Sequence, residues 1–132
     1  MSHILDTNIC SAHFRRPGGL SHRFVQYGGG LHISTVVLGE LISGAHHLDD
    51  PVPLLEKIDD LLIDVGVLDY DRAAAVRFGE VRGELLRQGI SVPTADLMIA
   101  ATALVHDFTL VTHNTVDFAR IPGLRLEDWL SP

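Results

Sequence analysis

Short apolar runs alternate along this chain with longer stretches whose apolar residues recur every three or four positions. The first run, at residues 3–5, has room only for a strand, and it ends directly on Asp6. Residues 9–15 then predict one or two helical turns, stopped by Pro17-Gly18-Gly19. A short helix over 20–27 ends at Gly28-Gly29-Gly30, and residues 31–34 predict a second strand. Thr35 is placed to cap the next helix, which reaches about residue 47. Val37, Leu38, Leu41, Ile42 and Ala45 make its apolar stripe. Pro51 and Pro53 open a further helix to about residue 62, and residues 63–67 predict a third strand.

Asp71 begins a long helix to about residue 88, with Gly89 as its stop. Ala74, Phe78, Val81 and Leu85 share one face of it. Arg77, Glu80, Glu84 and Arg87 share another, where ion pairs are worth about a few tenths of a kcal/mol each. Thr94 is placed to cap a helix reading ADLMIAATALVHD, apolar nearly all round, as a buried helix is. A fourth strand at 109–112 and a weak fifth at 124–126 complete the set. Strands alternating with helices predict one α/β domain over residues 1–132. It is expected to be a three-layer α/β/α sandwich on a central parallel sheet of four to five strands.

Composition refines this picture. Hydrophobic residues are 46% of the chain and charged ones 20%, enough for a true core. No run of about 18 apolar residues is present, so no membrane span is expected. No basic segment followed by an apolar one opens the chain, so no secretory signal is expected. Cys10 is the only cysteine; a small buried hydrophobe in a reducing cytoplasm accounts for it. Mean hydropathy is +0.22, more apolar surface than such a sandwich readily covers, and a homodimer is the expected remedy. The net charge of −7 argues at first against a nucleic-acid partner. Two features soften that objection: nine of the ten basic residues are Arg, and clustered carboxylates can account for much of the negative count.

In open parallel sheets, sites form beyond the carboxyl ends of the strands. Asp6 follows the first strand, and Glu40 lies in the second turn of the helix after the second. Asp96 lies in the first turn of the buried helix, and Asp117 in the loop after the fourth strand. Singly, each has a plain explanation. Asp6 or Asp117 could be turn residues, and Asp96 could complement a helix dipole. Glu40 is harder to dismiss, because it stands beside the small residues Val36, Ser43 and Gly44. Four acids on one edge would cost several kcal/mol in repulsion and desolvation unless a cation offsets it. Oxygen ligands alone favour Mg²⁺ or Mn²⁺ over Zn²⁺. His46-His47 is no zinc pair, since neighbours on a helix point about 100° apart.

The stretches LDTNI at 5–9, STVVLGELISG at 34–44, PTADLMIAATAL at 93–104 and LVTHNTVDFARIPGLRLEDW at 110–129 are similar to the PIN-domain ribonucleases. Within them, the chain resembles the VapC toxins of toxin–antitoxin modules. The resemblance implies a metal-binding and catalytic quartet of Asp6, Glu40, Asp96 and Asp117. It implies supporting roles for Thr7, Asn8, Thr112 and Asn114, and none for His113. It implies hydrolysis of RNA by water activated on one or two Mg²⁺ ions, with Mn²⁺ as a substitute, leaving 5′-phosphate and 3′-hydroxyl ends. Transfer or ribosomal RNA would be the target, and a VapB-type antitoxin with a tail that folds on the toxin would be the partner. Arg15, Arg16 and Arg23, near the first helices, are the candidate phosphate contacts, with surface solubility an equal explanation. Two rivals stay open. A phosphohydrolase using Asp6 would want a second acid where Asn8 stands, and a late Lys, whereas Lys57 is the only one. A non-catalytic RNA- or protein-binding module of the same fold would not need all four acids.

Overall fold

The computed structural model describes residues 2–16 and 18–131. Its strands are β1 (His3–Leu5), β2 (Leu31–Ser34), β3 (Gly66–Leu68), β4 (Thr109–Val111) and β5 (Leu126–Glu127). They form one sheet in the order β3-β2-β1-β4-β5, parallel at every pairing. The helices are α1 (Thr7–Arg15), α2 (Ser21–Gln26), α3 (Thr35–His46), α4 (Val52–Asp64), α5 (Arg72–Arg87), α6 (Thr94–His106) and α7 (Thr115–Phe118). The expected α/β sandwich on a parallel sheet is the fold observed. The chain builds outward from β1 to β3, then returns to add β4 and β5 on the other side of β1. The connections after β1 and after β4 therefore leave in opposite directions, and a crevice opens between them.

Burial follows the apolar runs. Every residue of β1 and β4 is buried, as central strands of a parallel sheet are. Helix α6 buries Leu97 and the whole run 99–103, so its near-uniform apolarity matches its position. Helix α5 buries Ala74, Val81 and Leu85 and leaves its charged face outside, where Arg77 pairs with Glu80 at 3.7 Å and Arg87 with Glu84.

Several boundaries differ from expectation, each for a local reason. The third strand, expected at 63–67, begins only at Gly66, because α4 keeps its apolar stripe through Ile58, Leu61 and the buried Val65. Ile63 is consequently a helix residue, 82% exposed. Gly66 is needed where it stands: a Cβ there would come within 2.9 Å of the His32 ring on the neighbouring strand. The fifth strand lies at 126–127 rather than 124–126. Helix α1 starts two residues earlier than expected, at Thr7, with Asp6 as its N-cap. Ser34, not Thr35, caps α3 by accepting from the Val37 N–H at 3.1 Å. Thr35 instead accepts from the Tyr70 N–H at 3.0 Å, tying α3 to the loop after β3. Pro93 occupies the N-cap of α6, and Thr94 accepts from Arg82 Nη1 at 3.1 Å. Ile42, expected in the buried stripe of α3, is 38% exposed. Pro17, part of the expected stop after α1, lies outside the described residues; Lys57 Nζ donates to the Phe14 carbonyl there.

Phe118→Ala, which empties a fully buried site, is expected to cost about 3–5 kcal/mol in urea denaturation. Ile63→Ala, on the outer face of α4, is expected to stay within about 0.5 kcal/mol of the parent. A large loss at Ile63 would restore the strand assignment.

Candidate active site

The crevice between β1 and β4 is lined by the residues that immediately follow those strands. The Asp6 N–H donates to the Val111 carbonyl at 2.9 Å, carrying the β1–β4 ladder one step past the strand end. Asp6 is thereby held in the sheet while its side chain turns into the crevice, 5% exposed. One carboxylate oxygen accepts from the Thr7 N–H at 2.8 Å, and the other from the Thr112 hydroxyl at 2.8 Å. Thr112, fully buried, is a junction. Its Oγ1 also accepts from the Asn114 N–H at 3.0 Å and from Asn8 Nδ2 at 3.4 Å. Asn8 Oδ1 accepts from the His113 N–H at 3.2 Å, so one amide side chain bridges the two loops.

The other acids reach the same edge from separate elements. Glu40, on α3, accepts from the Thr7 hydroxyl at 2.6 Å. Asp117, on α7, accepts from Asn114 Nδ2 at 3.1 Å. Asp96, on α6, has no hydrogen-bond or ion-pair partner among the described residues. Its carboxyl is pushed up to about 6, first by burial and then by the negative charges of Asp6, Glu40 and Asp117. That three-way influence places Asp6, Glu40 and Asp117 within electrostatic reach of Asp96. Asp6 is also raised, by burial above all and by Glu40, against the opposing bonds from Thr112 and Thr7. Cys10, buried one turn along α1, has its thiol pushed up to about 12 by burial and by Asp6, and so stays protonated. No ion pair neutralises any of the four acids among the described residues.

The donor set is entirely oxygen, and its uncompensated charge is of the kind a hard divalent cation relieves. Among the described residues, no three His, Cys, Asp or Glu side chains stand close enough to form a finished ligand cage. Glu40 and Asp117 are instead held by Thr7 and Asn114, which keeps each within one hydroxyl or amide of the crevice.

The candidate phosphate contacts separate. Arg15 lines a groove of about 360 Å³ with Thr7, Phe14, Glu40, Leu41 and Leu54, adjoining the acids. Arg16 is exposed at the end of α1. Arg23 lies apart from the four carboxylates, with its guanidinium 5.5 Å from the centre of the Trp129 ring and its charge acting on Glu127. One pair of neighbours escaped the sequence reading. His113 meets Asp128 across fifteen residues, through the pairing of Val111 with Glu127. Only the β4–β5 register could have revealed it.

A profile for the PIN domain matches residues 3–124. The tRNA(fMet)-specific endonuclease VapC of Shigella flexneri is 43% identical over 127 residues, covering 96% of each chain. The protein of that name from Salmonella typhimurium is 39% identical over the same share. DNA-bound VapBC from Salmonella typhimurium superposes with a TM-score of 0.92 at 38% identity, covering 98% of both chains. VapBC2 from Rickettsia felis, bound to a promoter fragment, gives 0.90 at 31% identity over 98% of this chain and 99% of that one. The chain belongs to the PIN-domain family and, within it, to the VapC ribonucleases. It is thus a nuclease, and the crevice between β1 and β4 is its candidate active site.

The Asp96 carboxyl also sets a pH dependence. In the metal-free protein it rises from the ordinary 3.8 to about 6, so between those values the folded state holds a proton that the unfolded chain has released. Stability therefore falls as pH rises from about 4 to about 6. The group is only half-buried, and solvent screening reduces the effect to about 1 kcal/mol. With chelator present, Asp96→Asn is expected to be more stable than the parent by about 1 kcal/mol at pH 7. The two should coincide below about pH 4 in paired urea titrations.

Proposed function

We propose that this chain is a divalent-metal-dependent endoribonuclease acting as the toxin of a VapBC pair, with transfer RNA as its substrate. The observation that carries the reading is the convergence at one edge of the sheet of Asp6, Glu40 and Asp117, held by Thr112, Thr7 and Asn114, on an Asp96 that feels the charge of all three. Asp6 and Asp96 are the proposed principal ligands of a Mg²⁺ ion, which Mn²⁺ can replace, and Glu40 and Asp117 complete the set. Such an ion, when bound, supplies an activated water and takes up charge on the leaving oxygen. The protein's part is placement. Thr112 fixes Asp6, Thr7 steadies Glu40, and Asn114 steadies Asp117. Asn8 locks the two loops together. Arg15, beside Glu40, and Arg16 are the proposed phosphate contacts of the first helix. The 43% identity to a tRNA(fMet)-specific endonuclease favours transfer RNA over ribosomal RNA. The phosphohydrolase alternative loses its footing at Asn8, whose amide is spent on Thr112 and His113.

A VapB-type antitoxin is the proposed partner, since VapBC complexes are among the solved structures this chain resembles. Its tail would lie in the groove beside Glu40. The wall of that groove is made by α1, α3 and Leu54 of α4, with no lining residue from α2. An Arg from the tail would suit the acids, because its fork can engage two carboxylates. Self-association is proposed as well, since Val25, Ile63 and Val116 are each more than 70% exposed.

RNA cleaved by pure protein with Mn²⁺ should show a defined cut in transfer RNA on end-sequencing, and chelator should abolish it. Asp6→Asn and Asp96→Asn should each lower kcat by at least ~100-fold while keeping the fold. Full activity in EDTA would overturn the metal-dependent reading. Antitoxin binding should weaken as Mg²⁺ is raised and in both Asn variants. Light scattering should report a dimer at micromolar concentration.

A further inference from the structure

The loop after β4 carries an arrangement that the acidic quartet does not use. His113 stands between Thr112, whose hydroxyl holds Asp6, and Asn114, whose amide holds Asp117. Its backbone N–H is spent on Asn8 Oδ1 at 3.2 Å. Its ring is fixed from the other side, with Nδ1 donating to Asp128 Oδ2 at 3.0 Å. Asp128 is itself held: the Leu130 N–H donates to Oδ1 at 2.9 Å, and Ser131 Oγ donates to Oδ2 at 2.8 Å. Burial works against its charge, but the bonds from Leu130, Ser131 and His113 outweigh it and hold the carboxyl below the usual carboxylate range.

A carboxylate that only accepts fixes the ring proton on Nδ1. Nε2 is left without a partner among the described residues, on a side chain 59% exposed. The ring is therefore oriented at one nitrogen and free at the other, in the loop that supports two of the four acids. An exposed side chain gains little stability from such an ion pair. The chemistry beside it gives the free nitrogen a use. RNA must bring phosphates to an edge crowded with carboxylates, on a chain of net charge −7. Arg15 supplies a donor on the side of Glu40. His113 is the candidate on the other flank, in the loop whose Thr112 and Asn114 hold Asp6 and Asp117, and with a proton on each ring nitrogen its Nε2–H is a free donor.

We propose that His113, with both ring nitrogens protonated, donates its Nε2–H to a phosphate oxygen of RNA next to the scissile bond, and that Asp128 is its positioning residue. The inference rests on the ribonuclease reading above and adds a substrate contact to it. The rival role is a latch that holds residues 128–131 to the β4 loop and has no part in binding RNA.

The test compares the parent with His113→Ala, His113→Gln and Asp128→Asn, using transfer RNA as substrate with Mn²⁺. Initial rates give kcat and KM separately, and thermal melts are run on the same samples. Loss of a charge-assisted bond is expected to raise KM about tenfold in His113→Ala, with kcat within about twofold of the parent. His113→Gln, which keeps a donor near Nε2, should recover part of that loss, and Asp128→Asn should show a smaller rise. Tm should move by no more than a few degrees in the two His113 variants. An unchanged KM in His113→Ala overturns the proposal. So does a fall in kcat alone, or a rise in KM that appears only together with a large drop in Tm. A parent protein that leaves RNA uncut would sink the ribonuclease reading itself, whereas a parent that cuts RNA beside an unaltered His113→Ala would sink only the His113 proposal.

Discussion

Repulsion among four carboxylates is the constraint around which this molecule is arranged. Asp6, Glu40, Asp96 and Asp117 come from four elements, and the rise of Asp96 to about 6 registers their nearness. Without compensation such a grouping favours opening. The fold resists by anchoring the acids to neutral donors. The side chains of Thr7, Thr112 and Asn114 each give one hydrogen bond to a carboxylate, the Thr7 N–H gives another to Asp6, and none brings a positive charge. The crevice is thus kept in shape without being neutralised, so its negative charge stays available to a cation.

Much of that anchoring passes through a single hydroxyl. Thr112 Oγ1 donates to Asp6 and accepts from Asn114 and Asn8, joining the ends of β1 and β4 at the point where the sheet's winding reverses. Parallel strands without a shared hairpin need some such tie beyond their ladder. A valine of nearly equal volume would fill the same space and leave Asp6 Oδ2, Asn8 and the loop N–H without this partner. The demand is therefore chemical rather than steric, and it explains why a polar residue is fully buried beside an apolar strand.

The sequence disclosed the architecture because it rests on strong local signals. Apolar runs of three or four residues marked the central strands, and the near-uniform apolarity of 95–105, broken by Asp96 and Thr102, marked a buried helix. What it concealed were choices settled by tertiary contact. Ser34 and Thr35 are both good caps, and only the approach of Tyr70 decides that Thr35 serves the neighbouring loop. The stretch at 61–65 suits helix or strand equally, and packing of Leu61 and Val65 extends the helix. Arg23 looks like any surface arginine until Trp129, more than a hundred residues away, lies beneath it. The pairing of His113 with Asp128 has no local signature at all.

Trp129 carries a practical consequence. It is the only tryptophan, 6% exposed, stacked on Tyr27 and near His3, with its Nε1–H given to Glu127 at 3.1 Å. The ultraviolet emission of this protein is therefore a signal from one spot, where the segment after the last strand packs against Tyr27 and His3. Polarity, ring stacking and a neighbouring carboxylate all bear on its colour and yield. Detachment of the final segment would alter the glow before the rest of the sheet melts, whereas far-ultraviolet dichroism would report the helices. A disagreement between the two optical records would thus date the departure of the chain's last residues relative to the collapse of the whole.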